Sequence, residues 1–382
     1  MSGVAEGQAE QRSAAKATPS DRVDAFVLTG FLGSGKTTLL ASALADPAFA
    51  DTAVIVNELG EVGIDHELLS FSSDATLVLP GGCVCCSIRE DIEQALRDLF
   101  EARDAGRIAP FRRLVIETTG IAEPLPLLAT LHQNPLALAR LNKPEIVTVL
   151  DGVLGEATLG AHREAQEQIV HADKIVISKS DLIEPPARAR LADLVAAQNP
   201  WATLHEADLT QGAPARIFET TPSQRPEALA ERWAAPFEPG QPHSHSHSDV
   251  QSFALTLQHP LDWTGFGVFM TLLLHRHGNN VLRVKGLLAV EGLPGPTLFQ
   301  CAQHLVHPPH HMEAWPSDAR TTRLVFIARG LDPATIKKAL LAFDHAARVA
   351  PERLEHYLPA GGGGSIAGRP VKRPTAPRWI KA

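Results

Sequence analysis

The sequence predicts an α/β fold in which a domain with a mostly parallel sheet is followed by a smaller α+β domain. Three observations support this. The stretch AFVLTGFLGSGKTTLL, from Ala25 to Leu40, reads as strand, glycine loop and helix, the arrangement of a P-loop NTPase domain. Short β-branched runs such as Thr52 to Val56 suit buried parallel strands. The 382 residues allow two domains, and the regular pattern stops after Thr210.

Composition limits the classes of protein to which this chain can belong. Its apolar content of 44% and charged content of 20% are ordinary for a globular domain. A net charge of −8 argues against non-specific nucleic-acid binding. No apolar run approaches the roughly 18 residues of a membrane span, and the first residues carry no signal pattern. We therefore expect a cytoplasmic protein without nucleic-acid or membrane partners, and a disordered arm over residues 1–22.

The glycine loop predicts a nucleotide site. Glycines let backbone N–H groups close around phosphate oxygens, and the helix N-terminus adds a favourable dipole. Lys36 can reach the terminal phosphates, and the Thr37 hydroxyl can ligate Mg²⁺. The predicted phosphate-binding residues are Gly30, Gly33, Ser34, Gly35, Lys36, Thr37 and Thr38.

The first domain, predicted over residues 23–210, contains further strand-like runs and one helical stretch. The predicted strands are Thr52 to Val56, Thr76 to Leu79, Phe111 to Ile116, Glu145 to Leu150 and Lys174 to Ile177, with a helix within Ala161 to Val170.

An acidic loop follows the strand that ends at Val56. The stretch from Asn57 to Asp65 contains two glycines and three carboxylates. In nucleotide switch proteins a loop at this position approaches the γ-phosphate and Mg²⁺. Glu58 and Glu61 are candidate metal ligands or switch residues. A solvated acidic turn is the alternative.

Three of the four cysteines fall within four residues, namely Cys83, Cys85 and Cys86. Ser87 and Glu90 form a capping box, so a helix is predicted from about Ile88. The positive end of a helix dipole favours thiolate over thiol, and three thiolates provide most of a tetrahedral Zn²⁺ shell. Buried structural cysteines and a redox site are the alternatives.

Glu117 ends a strand-like run, and Gly120 follows three residues later. P-loop proteins use an acid at this place to approach Mg²⁺ through water, and a glycine N–H to sense the γ-phosphate. The sequence therefore predicts a second switch loop over Glu117 to Ala122.

The strand from Lys174 to Ile177 precedes a pattern suited to guanine. Asp181 could accept hydrogen bonds from the guanine N1–H and N2 amino group, whereas adenine has no matching donors. The Lys179 stem could lie over the base. This pattern favours GTP over ATP.

A linker, predicted over residues 211–250, ends in an alternating tract that contains His243, His245 and His247. The tract could bind divalent metal weakly, or could simply be a polar linker. After the last domain, the Gly- and Pro-rich residues 351–382 are predicted to be disordered.

The second domain, predicted over residues 251–350, should be a small sheet with helices on one face. Cys301 is expected in its core. His310 and His311, near Trp315, could form a ligand or docking surface or be ordinary loop residues. The predicted strands are Ser252 to Leu257, Val281 to Val290, Thr297 to Val306 and Arg323 to Ala328, with helices at Trp263 to His275 and Thr335 to Arg348.

The motifs GFLGSGKTTLL, VNELGEVGID, GGCVCC, ETTG, SKSD and RVKG, taken in this order, resemble those of the CobW-like (COG0523) metallochaperones, G3E-family P-loop GTPases. The resemblance extends from about Val23 to Arg348. One departure is Ser178, which stands where the family's NKxD motif has Asn, and we expect this shorter side chain to weaken guanine selectivity.

The resemblance implies a GTPase that couples GTP binding or hydrolysis to delivery of a transition metal, commonly zinc, to a client protein. It assigns the transferred metal to the three clustered cysteines and guanine to Lys179 and Asp181. The implied catalytic group is Lys36, Thr37, Glu117 and Gly120. GTP or GDP, Mg²⁺ and Zn²⁺ are the expected ligands, and the client's identity and a homo-oligomeric state are left open.

Three alternatives remain from the sequence. The cargo could be Co²⁺ or Fe²⁺, in cobalamin-related or nitrile hydratase-type metalloenzyme maturation, because thiolates accept several metals. The P-loop could belong to a small-molecule kinase. A histidine-rich metal-storage protein with a vestigial nucleotide fold is the third.

Overall fold

A computed structural model describes residues 22–57, 76–79, 87–207, 217–219, 250–315 and 320–349. The predictions for the arm before Arg22, the histidine tract and the tail after Val349 fall outside these ranges. None of the helices in these ranges is long and apolar enough to cross a membrane.

The first sheet contains seven parallel strands in the spatial order β3–β2–β4–β1–β5–β6–β7. In chain order the strands are β1 (Asp24–Thr29), β2 (Thr52–Asn57), β3 (Thr76–Leu79), β4 (Arg113–Glu117), β5 (Glu145–Asp151), β6 (Lys174–Ser178) and β7 (Thr203–Glu206). Because all strands are parallel, the loops that follow β1, β4, β5 and β6 leave the same edge of the sheet, where ligands of open α/β sheets bind.

Helices cover both faces of this sheet. They are α1 (Lys36–Leu44), α2 (Ser87–Asp104), α3 (Pro124–Gln133), α4 (Pro135–Arg140), α5 (Gly155–Ala161), α6 (Arg163–His171) and α7 (Pro185–Gln198). Successive side chains of a strand point to opposite faces of the sheet, so β1 contacts the helices on both sides. Phe26 and Leu28 pack in the cluster that contains α1, whereas Ala25 and Val27 pack with α2 and α3.

The second domain is an antiparallel sheet with two helices on one face. Its elements are β8 (Val250–Leu257), α8 (Trp263–His277), β9 (Val281–Leu288), β10 (Thr297–Ala302), β11 (Leu305–Val306), β12 (His310–His311), β13 (Thr322–Arg329) and α9 (Pro333–Val349). Aromatic residues of α8 and the sheet, such as Phe266 and Phe299, form its core together with Cys301. The two-domain α/β and α+β fold class is therefore confirmed.

Two predicted elements are wrong in detail. The single strand from Thr297 to Val306 is a hairpin, because Gln303 has a φ of 46° and turns the chain so that Cys301 pairs with Val306. The helix predicted within Ala161 to Val170 is α6, which begins at Arg163 because His162 takes an extended conformation after α5 ends at Ala161. The sequence did not predict α3, α4, α5, α7 or β7.

The second sheet packs its other face on the first domain. Val170 of α6 packs in one hydrophobic cluster with Leu282 and Ile327, and Trp201 packs in another with Leu287 and Val325. This interface also contains buried ion pairs, which connect β9 and β13 of the second domain to α6 and the residues that follow it.

Candidate nucleotide site

The loop between β1 and α1 has backbone geometry that requires glycine. Gly30 has a φ of 145°, and a Cβ there would lie 2.3 Å from the carbonyl oxygen of Val149. Gly35, at the N-cap of α1, has a φ of 90°. Only glycine takes these conformations without strain, so the loop wraps closely around the N-terminus of α1.

Two polar side chains of this loop are placed to meet an anion. The Lys36 ammonium donates to the carbonyls of Gly30, at 2.9 Å, and Phe31, at 3.4 Å. The Ser34 hydroxyl is buried, and among the described residues it has no hydrogen-bond partner. A buried hydroxyl without a partner is costly, and a phosphate oxygen at this place would satisfy it. The loop therefore fits the phosphates of a nucleotide.

Thr37 and Glu117 meet beside the loop. The Thr37 hydroxyl, in the first turn of α1, donates to Oε1 of Glu117 at the end of β4, at 2.7 Å. Glu117 is only 3% exposed. A hydroxyl and a carboxylate at the mouth of a phosphate loop are oxygen ligands of the kind that hold Mg²⁺ directly or through water.

Gly120 approaches the glycine loop closely. A Cβ at Gly120 would lie 2.7 Å from the backbone nitrogen of Leu32, so a larger residue would displace one of the two loops. The start of this segment is fixed to β1, because the Thr118 hydroxyl donates to that of Thr29 at 3.0 Å. The predicted switch glycine therefore lies against the predicted phosphate loop.

The segment that follows β6 supports the loop from the opposite side. The Ser178 hydroxyl donates to the carbonyl oxygen of Ser34 at 2.7 Å, so serine braces the loop despite its short side chain. Lys179, with a φ of 52°, donates to the carbonyl of Gly33 at 3.0 Å and pairs with Asp151 at 2.5 Å. Asp181 is exposed in the turn beyond.

Asp151 is a site residue that sequence reasoning missed. Burial tends to raise its pKa, but hydrogen bonds from Lys179 and from the N–H groups of Leu154 and Val153 outweigh it, so the pKa is lowered. A charged carboxylate there holds the Lys179 stem beside the loop. Its position in the sequence could have indicated this role. Asp151 is the last residue of β5, and the carboxyl ends of the parallel strands form the edge where the site lies.

The predicted metal ligands lie outside the described residues. This applies to Cys83, Cys85 and Cys86 and to Glu58 and Glu61. Within the described ranges, no group of three or more His, Cys, Asp or Glu side chains could hold a metal ion. Cys301 is buried in the second domain, and burial raises the pKa of its thiol to about 12. It therefore stays a protonated core residue.

The histidines near Trp315 are part of the second sheet. His310 and His311 form β12, and the ring Nδ1 of His311 lies 2.7 Å from the Thr297 hydroxyl. His310 also lines a cavity of about 390 Å³ between the domains, together with His132 and His307. The rings of these last two meet at 3.1 Å between Nε2 and Nδ1.

Family models account for both domains. Residues 24–206 match the CobW/HypB/UreG nucleotide-binding domain, and residues 250–344 match the cobalamin synthesis protein CobW C-terminal domain. The chain belongs to the CobW family. The predicted resemblance is thereby confirmed, and the glycine loop, Glu117 and Gly120 lie within the residues that match the nucleotide-binding domain.

Two zinc chaperones match this chain over most of their own length. Zinc chaperone YjiA of Escherichia coli (strain K12) is 31% identical over 319 residues, covering 82% of this chain and 96% of the relative. Zinc chaperone CobW of Pseudomonas aeruginosa (strain PAO1) is 29% identical over 357 residues, covering 82% and 89%.

A member of known structure has the same two-domain fold. The Zn(II)-bound crystal structure of the YjiA GTPase from E. coli has a TM-score of 0.64 and 27% identity, and covers 84% of this chain and 99% of that one. A triple mutant of that GTPase, with one glutamate and two cysteines replaced by alanine, also has a Zn(II)-bound crystal structure.

Proposed function

We propose that this chain is a GTP-hydrolysing metallochaperone that binds Zn²⁺ through Cys83, Cys85 and Cys86 and delivers it to a client protein under nucleotide control. The observation that carries the proposal is the pairing of Thr37 with Glu117 beside the glycine loop, in a chain whose relatives are named zinc chaperones. In this account GTP is the substrate and zinc is the cargo.

The residues of the site divide the work of GTP hydrolysis. Lys36 would exchange its bonds to loop carbonyls for bonds to the terminal phosphates, and the Gly120 N–H would donate to the γ-phosphate. Thr37 and Glu117 would hold Mg²⁺, which supplies neutralisation of phosphate charge when bound. Asp181 would accept from the guanine edge. Stabilisation of the charge on the transferred phosphoryl group would provide most of the catalysis.

The zinc assignment rests on thiolate chemistry and on position in the chain. The three cysteines lie in the connection between β3 and α2, and Cys86 immediately precedes the first residue of α2. β3 pairs in parallel with β2, and β2, β4 and β1 are parallel in turn, so β3 ends at the edge of the sheet where the glycine loop begins. Glu58 and Glu61 are proposed as further ligands or as switch residues. This placement would let the nucleotide alter metal affinity.

A titration with Co²⁺ tests the thiolate site, because cobalt bound to thiolates shows charge-transfer absorption that cobalt bound to oxygen and nitrogen lacks. We expect this absorption in the wild type, its displacement by Zn²⁺, and its loss when Cys83, Cys85 and Cys86 are replaced by serine. Cys301→Ala is the matched control and should keep it, because the Cys301 thiol is buried and protonated.

Zinc stoichiometry alone would be a poor test, since the YjiA triple mutant lacking two cysteines still binds Zn(II) in its crystal. A serine variant that keeps both the absorption and the wild-type Zn²⁺ affinity would contradict the ligand assignment. Tighter binding of Co²⁺ or Fe²⁺ than of Zn²⁺ in competition would instead favour one of these metals as the cargo.

The GTPase assignment is tested by release of free phosphate. We expect hydrolysis of GTP in preference to ATP, and a loss of about 100-fold or more in Thr37→Ala, which lacks the proposed Mg²⁺ ligand. Thr271→Ala is the matched control, since its hydroxyl bonds to the Gly267 carbonyl within α8, in the second domain. Transfer of phosphate to a small acceptor, without free phosphate, would identify a kinase.

A further inference from the structure

A buried glutamine connects the switch segment to the second domain. Gln168, in α6, is 1% exposed, and its Nε2 donates to two backbone carbonyls, those of Gly120 and Ala122, each at 3.1 Å. The backbone carbonyl of Gln168 accepts from the Thr148 hydroxyl of β5 at 2.8 Å. The amide has two hydrogens, so it can satisfy both carbonyls at once and hold two points of the segment.

The same helix is bound to the second domain through buried charges. Glu167, the residue before Gln168, forms an ion pair with Arg329 of β13, and both side chains are buried. Ala172 and Asp173 follow α6 directly. Arg283 of β9 donates to the backbone carbonyl of Ala172 at 2.7 Å and forms an ion pair with Asp173. Helix α6 therefore contacts the switch segment through one side chain and the second sheet through several.

We propose that Gln168 is a positioning residue that holds Gly120 against the glycine loop and connects the nucleotide site, through α6, to the C-terminal domain. A segment held by two hydrogen bonds from one amide is displaced only if both are broken, which favours two discrete positions over gradual movement. Movement of the Gly120 carbonyl when its N–H engages a γ-phosphate would pull on Gln168, and the ion pairs would transmit this to β9 and β13.

This inference rests on the proposed GTPase function but not on zinc binding. It explains why a buried glutamine points from a helix into a loop, where an apolar residue would pack without the need for hydrogen-bond partners. It also gives the second domain a route to the nucleotide that does not use the linker. The nucleotide state would reach β9 and β13 through the packing of α6 against them.

The test compares two glutamines of the same helix. Gln168→Leu removes the bonds to the switch segment, whereas Gln166→Leu, the matched control, removes buried bonds to the carbonyl of Leu159 and to Arg329 but none to the switch. We expect Gln168→Leu to keep the wild-type GDP affinity. Its kcat for GTP should fall at least about tenfold with KM little changed, because a tenfold loss is the size of effect expected for one or two hydrogen bonds. Gln166→Leu should keep the wild-type kcat.

A pH profile separates positioning from a loss of packing. In Gln168→Glu the buried carboxylate would face two carbonyls at neutral pH, but its protonated form has an O–H donor. Because burial raises the pKa of a carboxyl, we expect the activity of this variant, relative to wild type, to recover as the pH falls. Gln168→Leu has no titrating group and should show no such recovery.

Hydrogen exchange tests the connection to the second domain. In the wild type, amides of β9 and β13 should exchange differently in the GDP state and in the GTP-analogue state, and Gln168→Leu should abolish the difference. Equal kinetics for the two leucine variants, or an unchanged exchange difference in Gln168→Leu, would overturn the proposal while leaving the GTPase intact. A wild type that binds no GTP would overturn both.

Discussion

The buried ion pair between Asp173 and Arg283 provides the strictest test of the domain interface. Asp173 accepts from Arg283 at 2.5 Å and from Lys285 at 3.1 Å, and its second oxygen accepts from the N–H of Ile146 at 3.1 Å. Asp173 and Arg283 are 6% and 7% exposed. Although burial tends to raise its pKa, Lys285 and Arg283 hold the pKa of Asp173 far below its usual range, so the carboxylate is charged at neutral pH.

The cost of Arg283→Met follows from the partners that remain. Removing one member of a buried pair costs about 3–5 kcal/mol. Lys285 still faces Asp173, and the carbonyls of Val170 and Ala172 still accept from Asn199. We therefore expect Arg283→Met to lower the free energy of unfolding by about 3 kcal/mol, the lower end of this range. In a double-mutant cycle, the coupling energy between Arg283→Met and Asp173→Asn should be about 2 kcal/mol.

Urea unfolding of the four proteins of the cycle gives this coupling energy, with Trp201, buried at the domain interface, as a fluorescent reporter. The pair of Arg140 with Asp104, 36% and 48% exposed, is the matched control, and its coupling should not exceed about 1 kcal/mol. Equal coupling energies for the two pairs would refute the conclusion that the buried charges hold the domains together.

Three further predictions concern the switch, the loop brace and acid stability. Gly120→Ala places a Cβ against the backbone of Leu32, so GTP affinity should fall much more than GDP affinity in calorimetric titrations; an equal fall would contradict the switch role. Ser178→Ala leaves the buried Ser34 carbonyl without this donor and should cost about 1–2 kcal/mol of unfolding free energy in urea, whereas no change would show that the brace is dispensable. Burial tends to raise the pKa of Glu167, but His171 and Arg329 lower it from 4.5 to about 2, so its stabilising contribution is present above about pH 4.5 and is lost as the pH falls toward 2. Glu167→Gln should therefore flatten the dependence of the unfolding free energy on pH in this window, and an unchanged slope would contradict the assignment.

Local sequence patterns were sufficient for the first domain's central strands and for the glycine loop. The β-branched runs that form β2, β4, β5 and β6 are buried on both faces, so their composition indicates strands without knowledge of the partners. The contact between Thr37 and Glu117 was likewise predictable, because both lie at the same edge of a parallel sheet.

The connections between domains were not predictable from local patterns. Asp173 and Arg283 are 110 residues apart in the chain, and Gln168 and Gly120 are 48 apart. A polar residue in a helix is usually solvated, so Gln168 carried no local signal of burial. The hairpin at Gln303 was missed for a related reason, since no glycine marks its left-handed turn.

Zinc affinity measured in the GDP-bound and GTP-analogue-bound states tests the central claim most directly. If the nucleotide controls metal delivery, the two dissociation constants for Zn²⁺ should differ by about 5-fold or more, and saturating zinc should change the ratio of GTP to GDP affinity by the same factor. Replacing Cys83, Cys85 and Cys86 by serine should abolish the difference. Equal zinc affinity in the two nucleotide states would contradict nucleotide-controlled metal transfer.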